Sequence, residues 1–304
     1  MREQVVETLY KEIEPALSAM EPLRQKALRK NTNLQIGLAV GLVILFVVVF
    51  IVLPMPFPAN AVIVFALFGI GLGYRNFFKN QYVNRYKKDL TQILLSQFGI
   101  QSTHESSQHI YAKYFKQSAL FSYANAFSGD DLIKGQKDGL YFLGSELEAK
   151  HQKERENLPD IDRLIFNGFY FCGQIKKDTG TTVTIHSIDF EYQNPKRDNF
   201  IADYKFESLN TEFDDNFRLE YSDYDLTSHI LTPEFMQKLL DFKAAHQLPF
   251  VIRIARNQVY IAIQEKKEFF DISFNEQANS RKHIKVLADD CQFFFDLVQL
   301  LERL

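Results

Sequence analysis

Two uncharged runs near the N-terminus dominate the alternation of apolar and polar positions. Leu34–Leu53 (LQIGLAVGLVILFVVVFIVL) holds twenty residues without a charge. As a helix rising about 1.5 Å per residue it covers ~30 Å, the thickness of a bilayer's hydrocarbon core. After PMPFP a second uncharged run, Ala59–Tyr74, follows; counted from Phe57 it is 18 residues, or about 27 Å. Backbone groups in lipid must bond within their own segment, so runs this apolar are viable as helices. Pro54, Pro56 and Pro58 remove donors and end the first. The pattern predicts a transmembrane hairpin over 34–74, with spans at 34–53 and 57–74.

On either side the apolar positions recur at helical steps. Val5, Val6, Leu9, Ile13, Ala16, Leu17, Met20 and Leu23 predict an N-terminal helix within residues 1–33, divided by Pro15 and Pro22. It either lies on lipid or packs against the helix that follows the second span. Glu3, Glu7, Glu12 and Glu14 favour packing, because they oppose an anionic surface. Phe77, Phe78, Tyr82, Tyr86, Leu90, Ile93 and Leu94 predict a juxtamembrane helix over 75–98 that continues the second span and stops at Gly99.

From residue 99 onward the period shortens. Leu140–Ala149, Leu164–Ile175, Thr181–Ile188, Phe200–Ser208 and Phe217–Tyr221 alternate as strands between glycines. Thr232 and Pro233 open a helix with Phe235, Met236, Leu239, Leu240 and Phe242 on one face. Phe250, Ile252 and Ile254 pair with Val259, Ile261 and Ile263 about a turn at Arg256–Asn257. A helix from about Lys282 closes the chain. Strands without βαβ alternation predict an α+β class, mainly antiparallel, for a domain spanning 99–304.

Charge orients this arrangement. Residues 1–88 hold 11 Lys/Arg against 5 Glu, net +6, and the remainder 24 against 33, net −9. The cations flank the spans: Arg24, Lys26, Arg29 and Lys30 before them, Arg75, Lys79, Arg85, Lys87 and Lys88 after. The connecting turn has none. Both termini and the strand-rich domain are therefore expected in the cytoplasm, with those cations at lipid headgroups. The acidic domain opposes binding to nucleic acid. Gly37 and Gly41 in the first span, and Gly69, Gly71 and Gly73 in the second, stand at one depth and are expected to let the two helices touch.

Candidate chemistry is sparse. Asp130, Asp131 and Glu146 are the acids that could serve acid/base work or hold a cation, although Glu146 and Glu148 also suit a solvated strand face. Glu212, Asp214, Asp215, Asp223 and Asp225 form an acidic stretch around a strand, expected as a solvated rim. His104 and His109 fall in a polar loop and are expected in solvent. Cys172 and Cys291 are expected as buried structural thiols. Nucleophile-elbow, phosphate-loop and zinc patterns are missing, so no catalytic residue, metal or cofactor is expected.

Five stretches, FSGDDLIKG, SELEA, RLIFNGFYF, LNTEFDDNFRLEYSD and HILTPEFMQKLL, together with the hairpin and with Glu21 and Arg24 before it, resemble the bacterial membrane-anchored family known as domain of unknown function 3137. The resemblance implies a multi-pass protein of the bacterial inner membrane and brings no activity with it. The expected function is a binding or scaffold domain for a protein or lipid partner, held at the bilayer. The alternative is a tethered enzyme using the carboxylates near Asp130, Asp131 and Glu146.

Overall fold

The computed structural model describes residues 2–48, 57–121, 123–153, 161–192, 208, 210–265 and 268–302. The strand predicted at Phe200–Ser208 falls almost wholly outside them. The chain forms two compact units, Met1–Leu90 with Ile272–Lys285, and Thr91–Asp271 with Val286–Leu304. Ile272–Lys285 therefore groups with the N-terminal helices rather than with the strand-rich part of the chain.

In the first unit α1 is one helix, Arg2–Val47, with Pro15 and Pro22 inside it. The expected division at the prolines does not occur. Each proline removes only one backbone bond, and docking of the stripe Ile13, Leu17, Met20 and Arg24, all buried, supports the helix across both. The second helix, α2 (Phe57–Gln97), runs unbroken through the predicted juxtamembrane segment and ends before Gly99, at φ 71°.

Ile272–Lys285 is tied to both helices. Ala278 N–H donates to Glu21 Oε2 at 2.8 Å, and Arg24 Nη2 donates to Glu21 Oε1 at 2.7 Å. Tyr86 Oη donates to the Ala278 carbonyl at 2.5 Å, and Tyr82 packs on Phe274 at 5.7 Å between ring centroids. Glu21 and Arg24 thus form a structural joint. Two cations expected at headgroups are corrected by this unit, since Arg24 and Lys87 are buried. The Arg24 guanidinium is taken up by Glu21 and the Phe274 carbonyl. Lys26, Arg29, Lys30, Lys79, Arg85 and Lys88 are exposed.

Among the described residues, a Cβ at Gly37, Gly41 or Gly69 would meet nothing within 4 Å. Gly71, Gly73 and Arg75 have side positions outside the description. Among the described residues one segment, Ile13–Val47, is long and apolar enough to cross a membrane, and none of its most apolar window is buried. The second predicted span lies in α2 where side chains are not described.

The second unit is mixed helix and antiparallel sheet. Its strands are β1 (Gln101–Glu105), β2 (Ala126–Ser128), β3 (Leu132–Lys137), β4 (Leu140–Lys153), β5 (Ile161–Gln174), β6 (Thr182–Ser187), β7 (Phe217–Tyr221), β8 (Phe250–Ala255) and β9 (Gln258–Ile263). They form one sheet in the order β1-β3-β4-β5-β9-β8-β6-β7, with β2 beside β4. The β8–β9 register pairs Phe250 with Ile263, Ile252 with Ile261 and Ile254 with Val259, as the alternation predicts.

Each sheet face is covered. On one, Phe142, Phe169 and Phe171 meet Phe294 of α7 (Arg281–Leu301) at centroid separations of 5.3, 6.0 and 6.1 Å. Phe250 of β8 meets Phe242 of α6 (Pro233–His246) at 5.4 Å. On the other, Tyr170, Cys172, Val251, Tyr260 and Ala262 pack with Phe115 of α3 (Ala112–Gln117) and with Leu120. This two-sided burial is why β5 reads FYFC without a polar gap. Cys172 and Cys291 are both buried and free, and burial pushes the Cys172 thiol up to about 12.

The acidic stretch resolves into helix caps. Asn210 caps α4 (Thr211–Asn216) and Asp223 caps α5 (Tyr224–Ile230), with Glu212, Asp214 and Asp225 in first turns, where the helix dipole favours negative charge.

Candidate functional site

Three elements converge on one group of side chains. The β1–β3 register sets His104 opposite Ile133 and Glu105 opposite Leu132, which brings His104 alongside Asp131, the residue just before β3. His104 Nε2 lies 2.9 Å from Asp131 Oδ1, and both residues are buried. His104 is therefore not the solvated loop residue expected, because QSTHE pairs as an edge strand instead of looping. Ile133, Lys134 and Gly135 lie within β3.

Asp131 sits at φ 54°, directly after a backbone contact that needs glycine. A Cβ on Gly129 would stand 2.2 Å from the Glu146 carbonyl oxygen. Glu146 N–H in turn donates to the Asp130 carbonyl at 3.2 Å. This close approach folds Asp130 and Asp131 over β4, so that carboxylate oxygens of Asp130, Asp131 and Glu146 lie within 4.8 Å of one another. The Phe269 N–H donates to Glu146 Oε1. At the next residue, Phe270 N–H donates to buried Asp290 Oδ2 at 2.7 Å.

Burial, and then the nearby Asp130 and Asp131 carboxylates, push the Glu146 carboxyl up to about 8 against the Phe269 bond, which favours its charged form. Three acids this close cannot all ionise cheaply. A proton held on Glu146 relieves the crowding, and the three sets of oxygens are also of the chemical class that a hard divalent cation takes. Glu148, on the same strand, does not join them; it pairs with Lys150 at 2.7 Å and with Ser128.

Three cavities lie elsewhere in this unit, of about 100, 440 and 420 Å³, and none is lined by these acids. The smallest opens on the polar side of β6, β7 and β8, among Thr184, His186, Arg218, Glu220 and Arg253. The sequence signalled it only as polar positions alternating with Val183, Ile185, Leu219, Ile252 and Ile254. Recognising it required knowing that β6 lies between β7 and β8.

With that geometry in place, comparison with known proteins becomes informative about the sheet. Residues 164–303 match the family described as protein of unknown function (DUF3137). The DUF3137 match runs from within β5 through α7 and so includes most of the residues that line the smallest cavity, though not Ala119 and Leu120. His104, Asp130, Asp131 and Glu146 precede it, as do α1 and α2. A crystal structure of the mycobacterial trehalose monomycolate transport factor A, TtfA, is similar at 9% identity and a TM-score of 0.33, covering 72% of this chain and 96% of that one. Likeness at that level carries no argument about this chain. No curated protein matches it.

Proposed function

We propose that this chain is a membrane-anchored binding module. Its two apolar runs cross the bilayer of a bacterial inner membrane as a hairpin, both termini remain in the cytoplasm, and the sheet unit is displayed there to a protein or lipid partner. One observation carries the anchor. Ile36, Val40, Val43, Ile44 and Val47 project from α1 with 42–65% of their surface exposed. A helix apolar all round and buried against nothing is stable in lipid and not in water. The exposed cations that border it, from Lys26 to Lys30 and at Lys79, Arg85 and Lys88, support the cytoplasmic placement of both ends.

One observation favours a second function, a tethered enzyme, namely the convergence of Asp130, Asp131 and Glu146. The three described cavities open elsewhere, so the acids have no substrate chamber among them, and binding is the better-supported activity.

The test is topological. Full-length chain carrying a single added cysteine, Met55→Cys in the connecting turn or Tyr141→Cys on the exposed rim of β4, is treated in intact cells with a membrane-impermeant maleimide. The turn variant is expected to label and the β4 variant only after lysis. Extraction of the unmodified chain by alkaline carbonate, or labelling of Tyr141→Cys from outside, overturns the assignment.

A further inference from the structure

The smallest cavity has the chemistry of an anion site, and its case is independent of membrane anchoring. In the sheet β6 lies between β8 and β7. Thr184 stands opposite Arg253 on one side and Glu220 on the other, while His186 stands opposite Arg218. The two arginines are thus on strands about 10 Å apart, offset by two residues, with side chains long enough to lean over β6 from both sides. Arg253 is half-buried, and its Nη1 donates to Thr184 Oγ1 at 3.1 Å. Arg218 Nη1 donates to the carbonyls of Asp214 and Phe217 at 2.8 and 3.2 Å.

Among the described residues neither guanidinium is paired with a carboxylate. That is unusual company for this sheet unit, which lies in a part of the chain with 33 acids against 24 Lys/Arg. The acid that does line the cavity, Glu220, stands 3.2 Å from His186 Nε2. Tyr192 Oη lies 3.1 Å from His186 Nδ1 and adds a hydroxyl to the rim. A fork of N–H donors on each side, hydroxyls on the floor and rim, and about 100 Å³ of space open to water describe a receptor for a compact, multiply charged oxyanion. A planar carboxylate is fully engaged by one guanidinium. A tetrahedral group presents oxygens to both.

We propose that Arg253 and Arg218 hold a phosphate group in this cavity, as inorganic phosphate or as the phosphomonoester of a lipid headgroup. Arg253, Arg218, Thr184 and His186 lie within residues 164–303, the part of the chain that matches the DUF3137 family, whereas Ala119 and Leu120, which also line the cavity, precede it.

Full-length protein in detergent micelles is titrated with inorganic phosphate, with chloride at matched ionic strength as the control. Saturable binding is expected for the unmodified chain, weakened about tenfold or more in Arg253→Gln and in Arg218→Gln, the range for losing a charge-assisted hydrogen bond. Unfolding midpoints without phosphate are measured for each variant. Should Arg253→Gln fail to fold, Arg218→Gln decides, because that side chain is exposed. Competition by a short-chain phosphatidic acid, with none by the matching phosphatidylcholine, assigns the phosphate to a lipid. Binding of phosphate without such competition assigns it to a soluble ligand. No binding beyond the chloride control, or unchanged binding in a folded variant, overturns the proposal.

Discussion

Replacing Gly168 by alanine is expected to remove a large share of the sheet unit's stability. Gly168 sits in the middle of β5 at φ 151°, and a Cβ there would stand 2.1 Å from the Ile263 carbonyl oxygen. The obstacle is backbone of β9, the neighbouring strand, so no side-chain rotation relieves it. Two costs add: about 1–3 kcal/mol for holding a non-glycine residue in that region of φ, and a similar amount or more for the steric overlap. A loss of roughly 3–6 kcal/mol is a large share of the ~5–15 kcal/mol that a folded protein has in total. Gly173→Ala, in the same strand, is the control. Its nearest obstacles are side-chain atoms of Leu140 and Phe171 at 3.2 Å, which can yield, and a loss of ~1 kcal/mol is expected. Urea unfolding of both variants, followed by tyrosine fluorescence, measures the contrast. Equal midpoints for the two would mean that β9 moves aside freely and that the centre of the sheet is looser than its register implies.

The same strand shows what can be read from a sequence and what cannot. β8 and β9 are legible because one hairpin turn fixes their register and the apolar residues alternate without interruption. α6 is legible because Thr232, Pro233 and the Phe235–Leu239–Phe242 spacing all specify a helix start and one buried face. β1 and β3 are not. QSTHE and LIKGQK are short and polar; the first becomes a strand only by pairing with β3, across the intervening α3 and β2, and the second by lying between β1 and β4.

That hidden pairing is also what hid His104. Asp130, Asp131 and Glu146 stood out as acids, but their convergence depends on Gly129 approaching the β4 backbone, and neither spacing nor composition encodes that contact. The cations near the spans were legible as a charge pattern. The burial of Arg24 was not, because its partner segment, Ile272–Lys285, lies some 250 residues away.

Glu146→Gln is expected to stabilise the protein at pH 8 and to leave it unchanged near pH 5. The folded chain holds a proton on Glu146 up to about pH 8, because burial and the Asp130 and Asp131 charges oppose ionisation, whereas the ordinary value is 4.5. Between those two values the native state binds more protons than the unfolded state, so stability falls as pH rises. The contribution is whole below about 4.5, declines through the interval, and is lost above about 8. Full linkage across that interval sets a ceiling of ~5 kcal/mol. The carboxyl is only part-buried and partly screened by water, so about 1–3 kcal/mol is expected. Glutamine has nearly the same shape and keeps a carbonyl oxygen for the Phe269 N–H, but it cannot ionise. Its variant should therefore show a flatter profile, meeting the unmodified protein near pH 5 and exceeding it at pH 8. Unfolding midpoints taken at intervals across that range give the comparison directly. Parallel profiles would show that the three carboxylates ionise independently, and that the crowding of Asp130, Asp131 and Glu146 is relieved in solution by water rather than by a retained proton.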